Sequence, residues 1–162
     1  MEQIFFMIFG FLGMIFAEGF ISGFGLISLI PVVALLLRNR MDWKLYIGFI
    51  VATCLAFDVY NHYFLGTLLI ALLSALLVIY LLQLIIPSHE LIPESFVALI
   101  GFTVFHIILA LLASIKLEIN IGWTIVSRAF GAGIIEVIIM IVIKLFGNIL
   151  WARDDKRLKL KK

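Results

Sequence analysis

Residues 65–86 read LGTLLIALLSALLVIYLLQLII, 22 positions without a charged side chain. Wound as an α-helix, the run is about 33 Å long, enough to cross a hydrocarbon layer about 30 Å thick. Gly66 stands at its start and Pro87 just past its end, residues that punctuate helices. The rest of the chain has the same character. Of its 162 residues 65% are hydrophobic and 14% charged, against an apolar share of about 45–50% in soluble domains. The expected class is an all-α integral membrane protein.

Working outward, residues 43–58, 94–115 and 123–151 are also apolar runs bounded by polar or turn-forming residues. The first is short and is expected to extend to residue 60 at the interface or to thin the bilayer locally; the last is long and implies tilt or an interfacial end. Residues 4–37 are too long for one crossing, and Glu18, Gly19, Ser22, Gly23 and Gly25 interrupt them, so a helical hairpin is predicted. Its second arm, from Leu26 to Leu37, would be only about 18 Å long. It contains Pro31, which points to a broken or partly re-entrant element shielded by its neighbours.

The prediction is a compact bundle of about six transmembrane helices in a single domain over residues 1–152, with spans near 4–18, 25–37, 43–60, 65–86, 94–115 and 123–151. A basic tail follows over 153–162. The first apolar run has no basic region before it and no Ala-x-Ala site after it, so it is expected to be retained. No repeat with a period of 20–50 residues divides the chain.

A net charge of +2 is too small to suggest nucleic acid as a partner. Its distribution carries more information. Arg38, Arg40 and Lys44 form one basic turn, and Arg153, Lys156, Arg157, Lys159, Lys161 and Lys162 a basic tail, together nine of the twelve Lys and Arg. Basic loops stay on the cytoplasmic side. Four spans between the clusters place both inside, and the hairpin then brings the N-terminus inside too. The one cysteine, Cys54, lies within an apolar run and excludes an intramolecular disulfide; packing is its expected role.

Catalysis in a membrane needs His, Asp or Glu at ligand or acid–base spacing. His62, His89 and His106 fall in an outer loop, an inner loop and a span, without metal-site spacing. Nucleophile elbows, phosphate loops and paired-carboxylate motifs are absent from the sequence. No catalytic, cofactor or metal site is expected. Glu136 is the costly residue, because a charge at the bilayer centre costs about 2.5–3.5 kcal/mol even on the gentlest scale. Arg128 and Lys144 each stand eight residues from it, too far for direct contact, and both can extend toward an interface without a buried partner. Glu136 therefore stays protonated as a packing residue or finds a donor elsewhere, such as His106 or a group on a partner subunit. Glu18 and Asp58 read as interfacial caps facing water. The pairs Gly19/Gly23, Ala52/Ala56, Ala71/Ala75 and Ala129/Gly133 have the four-residue spacing of close helix packing, within the chain or in an oligomer.

The order of features from Leu29 to Gly66 has a further meaning. It comprises an apolar segment containing Pro31, basic Arg38-Asn39-Arg40, Leu45 to Gly48-Phe49, Leu55-Ala56-Phe57-Asp58 closing a span, and Leu65-Gly66 opening the next. This order resembles the rod shape-determining protein MreD family, as do the chain's size, its six expected crossings and its long last span with a basic tail. Family members often carry an acidic or amide residue after the proline and a Gly-Gly-Pro-like turn before the Leu-Gly pair. Here Val32 follows Pro31, and residues 59–64 replace the turn.

The resemblance implies a noncatalytic scaffold in the bacterial cytoplasmic membrane, part of the cell-elongation machinery of rod shape and peptidoglycan synthesis. Its implied partners are membrane lipid, a bitopic MreC-like protein, the MreB filament and peptidoglycan synthases. In six-helix architecture that family also resembles the substrate-binding subunits of energy-coupling-factor transporters. The rival expectation is therefore a vitamin or metal uptake subunit, with Glu136, Arg128 and the outer loops lining an outward pocket.

Overall fold

The computed structural model describes residues 11, 28–38, 42–86, 90–117 and 123–159, with the side chains of 116, 117 and 147–159 outside the described set. Five helices make up these residues: α1 (Ile30–Leu37), α2 (Trp43–Tyr60), α3 (Thr67–Ile85), α4 (Leu91–Leu117) and α5 (Trp123–Lys159). The last four each contain an apolar stretch long enough to cross a bilayer. The arm expected over 4–18 lies outside the described residues, apart from Phe11, which is helical and packs against the core. Six crossings are thus not what the described chain displays.

In the expected 25–37 span, helix begins only at Ile30. Eight helical residues reach about 12 Å, less than half a bilayer core. Pro31 sits in the first turn, where its missing N–H costs nothing, and the Ser28 hydroxyl accepts the Ile30 N–H at 3.3 Å. Ile30, Val32, Ala34 and Leu35 are buried around most of the circumference. The short helix is a wedge touching α2, α3 and α5. Ile30 and Ala34 join an apolar cluster with α2 and α3, and Val32 and Leu35 join one with α3, α4 and α5.

The long helices bury one stripe and expose the rest. On α2, Tyr46, Phe49, Ile50, Thr53, Cys54, Phe57 and Asp58 face inward at three- and four-residue spacing. On α3 the inward stripe is Leu68, Ala71, Leu72, Ala75 and Ile79, while Ile70, Leu73, Leu77, Leu81 and Leu84 are exposed. Helices apolar on every side are stable where lipid is the solvent. Packing is closest along the chain of neighbours α3, α4 and α5. Ala71 and Ala75 line one seam, where a Cβ on Gly101 of α4 would fall 2.3 Å from Ile79 Cγ1. Ala129 and Gly133 line the other, where a Cβ on Gly133 would fall 2.9 Å from Thr103 Oγ1. These two small-residue pairs let helix backbones approach; Ala52 and Ala56 are exposed instead, and Gly19/Gly23 lies outside the described residues.

The expected basic tail over 153–162 is helical up to Lys159. At 37 residues, α5 reaches about 55 Å and outruns the bilayer core.

Candidate functional site

Residues 129, 132, 133, 136, 137 and 140 are the buried face of α5. Glu136 is on it because it lies three residues past Gly133, at the closest approach to α4. Side chains lean toward the N-terminus of their own helix. On the antiparallel pair α4 and α5, Glu136 and His106 therefore lean toward each other, and Glu136 Oε1 meets His106 Nε2 at 2.6 Å. Both are buried, at 0% and 2% exposure. The same Oε1 accepts the backbone N–H of Ser28 at 2.9 Å, two residues ahead of α1. One carboxylate thus ties α5 to α4 and to the backbone just ahead of α1.

His106 Nδ1 and Thr53 Oγ1 are buried with no hydrogen-bond partner among the described residues. No group of three metal-ligating side chains exists among the described residues. The site is built for polar locking at the junction of three helices.

Asp58 forms a second polar junction. It is 0% exposed, which corrects its reading as a cap facing water. Its carboxylate accepts the N–H of Gly66 at 2.7 Å and of Leu68 at 2.9 Å, capping α3 from the preceding helix. The backbone around it closes α2 with a Schellman motif: His62 N–H bonds the Val59 carbonyl at 3.2 Å, and Tyr63 N–H the Asp58 carbonyl at 2.8 Å. His62 takes the left-handed φ of 57° that the motif requires, and Gly66 a φ of 93°. Orphan N–H groups of α3 draw the carboxylate inward, where the two bonds replace water.

The remaining candidates are dispersed. Arg128 is exposed on α5 and does not join Glu136. Lys144, expected to need no buried partner, forms an ion pair with Glu94 of α4, each side chain 25% exposed. Reaching across to α4 gives its ammonium a carboxylate at the same level. Arg38 donates to Gln83 Oε1 of α3 at 3.2 Å, and Lys44 is exposed on the first turn of α2. Arg40, Glu18 and His89 lie outside the described residues, as do the side chains of Arg153, Lys156 and Arg157.

Sequence reasoning missed the backbone of Ser28, although Ser28 and Pro31 around Ile30 mark a helix start. It also missed the Tyr46 hydroxyl, which donates to the Ala34 carbonyl at 3.1 Å. Comparison with protein-family models, curated proteins and solved structures yields no match.

Proposed function

We propose that the chain is a noncatalytic scaffold of the bacterial cell-elongation machinery. It spans the cytoplasmic membrane with both termini inside, and binds an MreC-like bitopic protein and, with it, the MreB filament and peptidoglycan synthases. The observation that carries the choice of scaffold over transporter is the Glu136 carboxylate at the N-terminal end of α1. In transporters, the N-termini of discontinuous helices offer N–H groups to anionic substrates. Here the chain's own carboxylate accepts the N–H of Ser28, just ahead of such an end, and it also engages His106. A vitamin or metal uptake subunit would need Glu136 and Arg128 to face one cavity, whereas Glu136 is buried and Arg128 exposed.

Further support comes from the Leu29–Gly66 pattern on which the likeness to the MreD family rests. Pro31 sits in the first turn of the wedge helix, Arg38 caps its end, and Asp58 and Gly66 form the cap between two long helices. The long helices leave wide apolar faces, suited to a partner's transmembrane helix. Deleting the gene in a rod-shaped host is expected to give rounded cells, with an MreC-like protein recovered alongside the tagged chain from mild detergent. Normal rods with normal wall insertion would overturn the reading. Recovery of a bound vitamin or metal, with a thermal shift on its addition, would favour the transporter.

A further inference from the structure

A groove of about 570 Å³ runs between α2 and α3, open on one side. Its two ends differ in chemistry. At one end stands Arg38, whose Nη1 donates to Oε1 of Gln83 beside the groove. Guanidinium carries five N–H donors and an amide two, so this bond leaves further donors on both residues. Trp43 and Tyr80 also line the groove, 67% and 50% exposed. Lys44 adds a second exposed cation on the first turn of α2. Aromatic rings and basic side chains at one depth mark the headgroup level of a membrane helix.

From Tyr80 to Leu69 the lining continues along α3 for eleven residues, about 16 Å by helical rise. Ile47, Val51, Leu73 and Leu77 wall it with hydrocarbon. Its floor includes Tyr46, whose hydroxyl is already bound to Ala34, so that ring presents carbon to the groove. The result is a cationic, donor-rich mouth with an aromatic collar above an apolar shaft.

We propose that this groove is a binding site for an anionic phospholipid, its phosphate held at Arg38 and Gln83 and one acyl chain lying along the shaft between α2 and α3. Phosphate takes charge-assisted hydrogen bonds from a guanidinium fork, and the chain fills space that neither helix covers. The site depends on the membrane setting of the helices and not on the scaffold reading, so either stands if the other fails.

The test uses the full chain in mild detergent, incubated with equal amounts of phosphatidylglycerol and phosphatidylcholine bearing the same oleoyl chains and weighed intact by native mass spectrometry. The expected result is retention of one phosphatidylglycerol with a preference of about fivefold, the usual contribution of one basic side chain near anionic lipid. Arg38→Gln should bring the two lipids to parity, Arg38→Lys should keep most of the preference, and Leu73→Trp should lower retention of both by filling the shaft. Equal retention of both lipids by the unaltered chain would overturn the proposal, as would a preference untouched by Arg38→Gln in protein whose Cys54 stays protected from thiol reagents. Displacement of the lipid by soluble glycerol phosphate would assign the mouth to a free phosphate instead. A photoreactive residue at position 77 should capture phospholipid in membranes; capture of a polypeptide would show a partner helix in the groove and also overturn the proposal.

Discussion

The carboxylate of Asp58 lies 2.7 Å from the backbone nitrogen of Gly66, and this contact joins the end of α2 to the start of α3. Because Asp58 also receives Leu68 N–H at 2.9 Å, its removal frees two donors at a buried helix end. Asp58→Ala is expected to destabilise the protein by roughly 1–3 kcal/mol, and Asp58→Asn by less, since an amide keeps one acceptor. Cys54 supplies the readout. It is the one cysteine of the chain and is fully buried, so a thiol-reactive dye reports unfolding during a thermal ramp. Equal midpoints for Asp58→Ala and the unaltered protein would refute the capping role.

Three glycines should respond differently to alanine. Gly66 has open space around its missing Cβ but a φ of 93°, so Gly66→Ala should cost about 1–2 kcal/mol through backbone strain alone. Gly101→Ala places a methyl against Ile79 and is expected to cost about 1–3 kcal/mol through overpacking. Gly131 is helical with nothing within 4 Å, and Gly131→Ala should be neutral or stabilising by up to about 1 kcal/mol. The same dye assay orders the three; a Gly131→Ala loss as large as that of Gly101→Ala would contradict the packing described.

At the central junction, Glu136→Gln retains a carbonyl oxygen for Ser28 N–H and should keep the protein folded and functional. Glu136→Leu removes the acceptor from both Ser28 N–H and His106 and should cost about 1–3 kcal/mol. A cycle combining His106→Leu with Glu136→Leu should show a coupling of about 0.6–1.7 kcal/mol, the range of hydrogen bonds between membrane helices. Additive effects would mean that the 2.6 Å contact contributes nothing. If Glu136→Gln abolished partner capture while the protein accumulated normally, the carboxylate would be acting as an anion toward a partner and not as a packing group.

Orientation can be read with single cysteines at Asn39, Asn61 and Asn120 in a Cys54→Ala background. An impermeant thiol reagent added to intact cells should label positions 61 and 120 and spare 39, as expected if the nine clustered basic residues lie inside. Labelling at 39 without labelling at 61 would invert the topology.

Hydropathy located α2 to α5 closely, because a bilayer imposes length and apolarity together and both are visible in a string of residues. The continuation of α5 to Lys159 was less visible, since charge suggests a solvated tail. Yet neither glycine nor proline follows Asn148, and charge alone does not end a helix. Glu136 was recognisable as costly, and His106 was one of the donors available to it. The share of Ser28 was hidden because every residue but proline carries the same N–H, and only the fold decides which one reaches a carboxylate. Asp58 was legible as a cap and misread in its surroundings, because residue type records charge and not the donors of a neighbouring helix that draw it inward. The Lys144–Glu94 pair was missed because a long aliphatic stem reaching the interface already satisfied the ammonium.

The bond from Ser28 to Glu136 spans 108 positions of the chain. At a synthesis rate of about 5–20 residues per second, the acceptor follows the donor by roughly 5–20 s. During that interval the wedge helix and the helices after it are made before the clasp that closes them exists. The junction of α1, α4 and α5 can therefore close only after α5 has been made. A ribosome that stops before α5 yields a product with its central junction unfastened, and a membrane protease has a physical basis for distinguishing it from the finished protein.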